Sequence, residues 1–497
     1  MKLVSTPEFD PHRLLDEHLA ERTTVVQHGA PSTAGEFVLY WMRCAVRDHE
    51  NPALDAAIQC AKKLDRPMLV YHGVSERYPY ASDRIHRFIL EGARDVAVGL
   101  SERGITYACH VERNADRRPH LHSLANRASV VITEDMPTEP MRKWTTSVAA
   151  SCSVPVLAVD TACVVSPRLY GRFFTRAFKF RKAMKPLLEG RIRSPWREEN
   201  PPQTFSGPLP FTPVDIADCD IGELIADCDI DHSIGAVPHT PGGSTAGYAR
   251  WRQFRQYGLS SYARRRNNPL IVGGVSRMSA YFHFGHVSPL RIARQLYGTK
   301  GQGAEKYLDE LLVWRELAYT WCHYHSSHES LSVLPQWAQD TWDRHRHDVR
   351  NVQSWESLAR AKTGDDLWDA CQTSLLQHGE LHNNVRMTWG KAVARWSASP
   401  EQTLENLIDL NHRYALDGRD PSSYGGLLWC MGLFDREFPP ERPVSGVVRP
   451  RETEQHAARL DVSEYRRLVS RPLFPSEPKV AVIGAGPAGS LLGRTLS

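Results

Sequence analysis

Between Glu36 and Thr161, short apolar runs alternate with longer amphipathic stretches. FVLYWMRC (37–44), PMLVYHGV (67–74), ITYACHVE (105–112), SVVITEDM (129–136) and VPVLAVDT (154–161) are apolar at nearly every position. Continuous runs of that length are expected of strands covered on both faces, as in a parallel sheet. The intervening NPALDAAIQCAKKL and DRIHRFILEGARDVAVGLSERG repeat apolar residues with helical periodicity. The pattern predicts an α/β domain over 35–164, built on a Rossmann-like parallel sheet, after an N-terminal extension over 1–34. Ligands of such sheets bind beyond the carboxyl ends of the strands, yet no glycine-rich phosphate loop follows the first one.

The pattern changes after residue 164. The stretch 168–197, RLYGRFFTRAFKFRKAMKPLLEGRIRSPWR, is basic and aromatic. It could lie along a phosphate backbone, but charge runs are usually solvated faces with snorkelling stems, and that reading is favoured. A proline-rich patch and an acidic near-repeat, DIADCDIGELIADCDIDHS, follow. They suit an exposed linker, so 165–243 is read as a connector. From 244 to 470 the periodicity is almost wholly helical, punctuated by Gly, Pro and Asn. A second, all-α domain is expected there.

Composition narrows the function classes only a little. The 497 residues carry a net charge of +4, so any nucleic-acid footprint must be local. The ten cysteines show no C-x-x-C pair and no ligand-like spacing with histidine, so no disulfide framework and no metal site is expected. The N-terminus lacks an apolar leader and no run reaches the ~18–20 residues of a membrane span. The sequence is read as a cytoplasmic monomer without a membrane partner. The last residues, KVAVIGAGPAGSLLGRTLS, run a β-branched strand into Gly484-Ala485-Gly486-Pro487-Ala488-Gly489. This is the opening of a dinucleotide-binding unit without its second strand and acidic residue. Residues 471–497 are therefore read as the incomplete start of a further domain, possible evidence of a fused oxidoreductase beyond residue 497.

The densest chemistry lies between 364 and 429. Trp389 and Trp396 are seven apart on one predicted helix and share a face. Trp368 lies on the preceding helix, which Gly379 should end. Taken singly these are core aromatics; as a file beside polar groups they could pass electrons stepwise to a buried redox cofactor. Arg386, among apolar neighbours, demands a carboxylate, and Asp417 in LDGRDP is the candidate. Glu310 and Trp314 are four apart on a predicted helix. The leucines around Glu310 suggest partial burial, a raised carboxyl pKa and a hydrogen-bond donor.

SRMSAYFHFGHVSP (276–289), LDELLVWRELA, DDLWDACQ…HNNVRMTWGKAVARW, LNHRYALDGRDPSSYGGLLW and FDREFPPERP together resemble the DNA photolyase/cryptochrome flavoproteins. The resemblance covers roughly 35–455 and is nearest the class II cyclobutane pyrimidine dimer photolyases. It implies that the all-α domain binds FAD, with Tyr262, Ser276, Arg277, Met278 and Ser279 at the phosphates and ribityl chain and Asn383 nearby. Arg386 and Asp417 match the ion pair beside the flavin ring, and Asn411 the amide facing its N5. Trp389, Trp368 and Trp396 match the photoreduction chain. Glu310, Trp314 and Trp429 match the lesion pocket, and Arg436 and Arg449 the arginines that approach UV-damaged DNA. The implied activity is that of a deoxyribodipyrimidine photo-lyase, with a possible deazaflavin or folate-type antenna in the α/β domain. Two departures bear on substrate: Asn383-Asn384-Val385 stands where class II has Gly-aromatic-Met, and His412-Arg413 replaces Asp-Lys. The alternatives are a cryptochrome-like photoreceptor and a flavin-linked oxidoreductase subunit; the histidine pair of (6-4) photolyases is not matched.

Overall fold

The computed structural model describes residues 9–471; the glycine-rich C-terminal stretch lies outside them. Six strands form one sheet: β1 (Thr23–Gln27), β2 (Phe37–Met42), β3 (Met68–Val74), β4 (Thr106–Val111), β5 (Ala128–Glu134) and β6 (Val156–Val159). Their order is β1-β6-β5-β2-β3-β4. β2 to β6 are parallel neighbours, with Leu39 level with Leu69 on one side and Val131 on the other. β1 differs from expectation, because it pairs antiparallel with β6 inside what reads as an N-terminal extension. Its TTVVQ has only two apolar positions, Val25 and Val26, and is half-exposed beyond Thr23, so the continuous apolar signal of the central strands is missing from it.

β2 explains the central runs. Val38, Tyr40 and Met42 face α1 (Pro52–Leu64), while Phe37, Leu39 and Trp41 face the opposite layer with Leu124, Val148 and Phe205. Both faces are covered, so alternation disappears from the sequence. α1 is started by Asn51, whose side chain accepts from Ala53 N and Leu54 N. α2 (Asp83–Glu102) packs beyond β3 and β4.

The connector is not a free linker. Ile216, Ile221, Ile225 and Cys228 are buried against Val74, Leu90, Cys109 and Val111. Spaced isoleucines carry the packing and the acidic residues between them face water. Asp220 itself caps the short helix α3 (Ile221–Ala226) by accepting from Gly222 N and Glu223 N. The basic stretch forms α4 (Ala177–Arg193), with Phe180, Met184 and Ile192 buried and the cations outside.

The helical domain contains α5 (Ser244–Tyr257), α6 (Gln302–Leu308), α7 (Glu316–Tyr324), α8 (Asp366–His378), α9 (Asn383–Trp396), α10 (Pro400–Tyr414) and α11 (Pro421–Cys430). Gly379 ends α8 in the left-handed region at φ 61°. α9 and α11 approach closely at Gly390, where a Cβ would stand 2.5 Å from Cys430 Sγ. Buried Arg84, on α2, fastens the two domains. It donates to the carbonyls of Leu375 (2.8 Å), Leu376 (2.6 Å) and Tyr414 (2.5 Å), at the carboxyl ends of α8 and α10.

Candidate functional site

A cavity of about 620 Å³ opens among these helices, within the ~300–1,000 Å³ range of ligand and cofactor sites. Tyr262, Ser276, Arg277, Met278, Ser279 and Asn383 line it, as do Arg386, Asp417, Glu310, Trp314 and Trp429. Residues separated by as much as 167 positions in the sequence thus line one cavity.

One wall is a break in helical regularity. Asp309–Arg315 is a π-helical turn between α6 and α7, where an ordinary α-helix was expected. Such turns recur at functional sites. This one carries Glu310 and Trp314 onto the cavity. Trp314 stacks on Trp429 of α11, with ring centroids 4.9 Å apart and planes 19° from parallel. Glu310 departs from the expected donor. Its Oε2 lies 3.0 Å from Arg266 Nη2 and its Oε1 2.7 Å from Lys306 Nζ. Both oxygens accept from cations, which is the arrangement of a carboxylate acceptor. Lys306 precedes Glu310 by four residues and could have been paired with it from helical spacing. Arg266 is brought from the turn after Tyr262–Arg265 and carries no such signal.

Arg277 also lines the cavity, with its backbone in the left-handed region at φ 55°. It pairs with Glu380, Nε to Oε1 at 2.5 Å. Burial alone would raise the Glu380 carboxyl, but Arg277 and Arg250 hold it below the usual carboxylate range. Burial pushes the His382 imidazole down to about 4.

The Arg386 pairing differs in detail from expectation. Its Nη2 is 3.8 Å from Asp417 Oδ1, whereas its Nη1 donates to Asn411 Oδ1 at 3.0 Å. Asn411 stands behind the cavity wall rather than on it. Its Nδ2 donates to Gly418 O (3.0 Å) and Ser423 Oγ (2.9 Å).

The tryptophans lie behind α9's cavity face. Trp368 sits between the other two, 6.1 Å from Trp389 in near-parallel stacking and 5.3 Å edge-on from Trp396. Trp368 Nε1 donates to Trp389 O, and Trp389 Nε1 to Gln372 Oε1. Trp389 is fully buried and Trp396 is 9% exposed, so the file leads from the core toward the surface.

Arg449 and Arg436 are exposed beside the cavity mouth. Asp435 holds Arg449 through both oxygens (3.0 and 3.1 Å) and accepts from Trp429 Nε1 at 3.4 Å. Both arginines lie over Phe438, at 4.3 Å for Arg449 and 5.1 Å for Arg436.

Four buried polar atoms on the cavity wall have no hydrogen-bond partner among the described residues: Arg277 Nη2, His382 Nε2, Asp417 Oδ1 and Ser422 Oγ. Buried polar atoms are rarely left unpaired. With Arg266, Lys306 and Arg386 they form a donor-rich, partly cationic lining that fits a large anionic ligand with a polar heterocycle, which is the character of FAD. A smaller cavity, of about 70 Å³, lies beyond the carboxyl ends of β2, β3 and β5, with Trp41, His72 and Met136 on its wall. Among the described residues, no helix is long and apolar enough to cross a membrane.

Residues 38–182 match the DNA photolyase family and residues 307–411 match the FAD binding domain of DNA photolyase. The deoxyribodipyrimidine photo-lyase of Methanothermobacter thermautotrophicus is 30% identical, over 90% of this chain and 97% of that protein. That of Oryza sativa subsp. japonica is 29% identical over 95% and 94%. Two solved structures share the fold. The Synechocystis sp. PCC6803 cryptochrome superposes with a TM-score of 0.66 at 15% identity, covering 87% of this chain and 88% of that one. A class III photolyase from Agrobacterium tumefaciens gives 0.61 at 17% identity, covering 88% and 87%.

Proposed function

The chain belongs to the DNA photolyase/cryptochrome family, and we propose that it repairs cyclobutane pyrimidine dimers in DNA by a light-driven electron transfer, in the manner of the class II enzymes. The observation that carries this reading is the convergence on one cavity of Trp314, Trp429 and Glu310 with the unpartnered atoms of Arg277, His382 and Asp417. Bound FAD, in its reduced form, would supply the photoexcited electron.

The chain's own residues account for the rest. Arg277, Ser276 and Ser279 would hold the phosphates, with Met278, Tyr262 and Asn383 flanking them. Arg386 and Asp417 would hold the polar edge of the ring, with Asn411 fixing Arg386 from behind. The Trp314–Trp429 pair offers an aromatic wall to a dimer flipped out of the duplex, where stacking is worth about 1–3 kcal/mol per base. Glu310, fixed by Arg266 and Lys306, would orient the dimer by accepting from its N–H edge. Trp389, Trp368 and Trp396 would carry electrons inward to reduce the cofactor. Arg436 and Arg449 would contact phosphates of the damaged strand. Whether a deazaflavin or folate-type antenna is carried is testable by denaturing extraction and mass spectrometry; the smaller cavity, at about 70 Å³, is too small to enclose one as it stands.

The test is illumination of the chemically reduced protein with a dimer-containing oligonucleotide. Loss of the lesion in light and not in darkness is expected. Intact lesions after illumination, in protein that carries FAD and photoreduces normally, would sink the repair reading in favour of a photoreceptor.

A further inference from the structure

The α/β domain carries a second cluster of chemistry, remote in role from the large cavity. His110 lies near the end of β4, the last strand in the sheet order; Asp116 lies in the following loop, and His120 directly precedes the next helix, Leu121–Arg127. One ligand atom from each falls within 4.8 Å of the others. His120 Nε2 is 2.9 Å from Asp116 Oδ2, and His110 Nε2 is 3.8 Å from the same oxygen. None of the three lines either cavity.

We propose that His110, Asp116 and His120 form a three-ligand site for a divalent cation of the Zn²⁺ class, with water completing the shell. A hydrogen-bonded Asp116–His120 pair would by itself satisfy those two side chains. It does not satisfy His110, which is 4% exposed and whose Nε2 has no hydrogen-bond partner among the described residues. A buried nitrogen left that way carries an uncompensated desolvation cost. A cation between the three residues removes that cost and draws on all of them.

The surroundings are those of a supported ligand set. Tyr71 OH lies 3.3 Å from His110 Nδ1, so Nδ1–H can donate to the phenol and leave Nε2 to the metal. Asp116 Oδ1 accepts from Arg118 N at 3.2 Å, which turns Oδ2 toward the histidines. Phe211 from the connector stacks on His120 at 4.5 Å and meets His110 edge-on at 5.3 Å, walling off one side. Imidazole and carboxylate suit Zn²⁺ and its borderline neighbours. Tetrahedral bonds of about 2.0–2.1 Å place ligand atoms roughly 3.3 Å apart. The 2.9 and 3.8 Å separations lie on either side of that value. Asp116 keeps 24% of its side-chain exposure, which leaves a path for the cation and for water. Such a site would tie the end of the edge strand to its loop, the next helix and the connector.

The test uses the full chain, stripped with a chelator, desalted and titrated with Zn²⁺ against a chromophoric competitor, with Co²⁺ as a spectroscopic probe. One Zn²⁺ per chain is expected, with Co²⁺ giving the intense visible bands of a four-coordinate site. Asp116→Asn and His120→Gln should lose that binding while far-ultraviolet circular dichroism and FAD content stay unchanged. Tyr71→Phe should weaken it about tenfold. No uptake by the parent chain, or uptake unchanged in both ligand variants, overturns the proposal. Should those variants fail to fold, a six-coordinate Co²⁺ spectrum with unchanged affinity in Tyr71→Phe overturns it as well.

Discussion

Arg386 Nη1 donates to Asn411 Oδ1 across 3.0 Å, nearer than any contact Arg386 makes with Asp417. Because the amide oxygen is committed to the guanidinium, Nδ2 must turn to Gly418 O and Ser423 Oγ. Asp417 Oδ1 is left as a buried acceptor on the cavity wall. Asn411→Asp keeps the acceptor for Arg386 but sets an oxygen against the Gly418 carbonyl. That change should cost about 2 kcal/mol, read as a lower denaturant midpoint, and should loosen FAD retention on gel filtration.

Trp368 touches both Trp389 and Trp396. Trp368→Phe should therefore interrupt light-driven reduction of bound FAD while leaving lesion repair intact once the protein is reduced chemically. Loss of its indole N–H bond to Trp389 O adds a stability cost of about 1–2 kcal/mol. Transient absorption and thermal melts check the two effects separately. Unchanged photoreduction in the variant would remove Trp368 from the electron path.

The two arginines at the cavity mouth should behave unequally. Arg449 is already gripped by Asp435, whereas among the described residues the Arg436 guanidinium meets only the face of Phe438. Arg436→Ala should lower the slope of log affinity against log salt by about 1 for damaged duplex. Arg449→Ala should lower it less, because the free arginine must first give up its carboxylate. Fluorescence anisotropy over a salt series measures both slopes.

His286 gives a pH dependence. Its Nδ1 accepts from Gly243 N at 2.9 Å, a bond that only an unprotonated nitrogen can make. Burial, then His72, His283 and Arg47, push the imidazole down from 6.5 to about 3. Protonation therefore favours the unfolded chain. The contribution is whole above pH 6.5 and is lost as the pH falls toward 3. At pH 5 the loss is about 2 kcal/mol. The stability difference between pH 7 and pH 5, read from denaturant midpoints, should shrink by that amount in His286→Gln, while other buried imidazoles such as His382 keep their own share.

Arg84 is the tie between domains that a mutation can cut most cleanly. Three of its four carbonyl acceptors end two helices of the other domain, and the fourth is Gly235 of the connector. Arg84→Met keeps the stem and removes the donors, leaving helix-end carbonyls buried without partners. A loss of about 3 kcal/mol is expected, with hydrogen exchange faster at the ends of α8 and α10 than in β2.

The amino-acid sequence by itself determined the layers. Continuous apolar runs at 37–44, 67–74 and 129–136 require strands covered on both sides, and helical periodicity after 244 requires a helical domain, because burial is written into the period of the residues. The seven-residue spacing of Trp389 and Trp396 and the Gly379 cap were legible for the same reason. Only the tertiary structure decided what depends on long-range placement. β1 joins the sheet through an antiparallel edge pairing that its half-polar residues do not announce. Four buried side chains anchor the acidic connector, and polar residues mask their spacing. The π-helical turn at Asp309–Arg315 leaves no mark in side-chain period. Arg266 reaches Glu310, Asn411 reaches Arg386, and His110 meets His120 through the packing of separate elements. Local propensity follows from neighbours in sequence, but hydrogen-bond partners of buried charges are chosen by geometry.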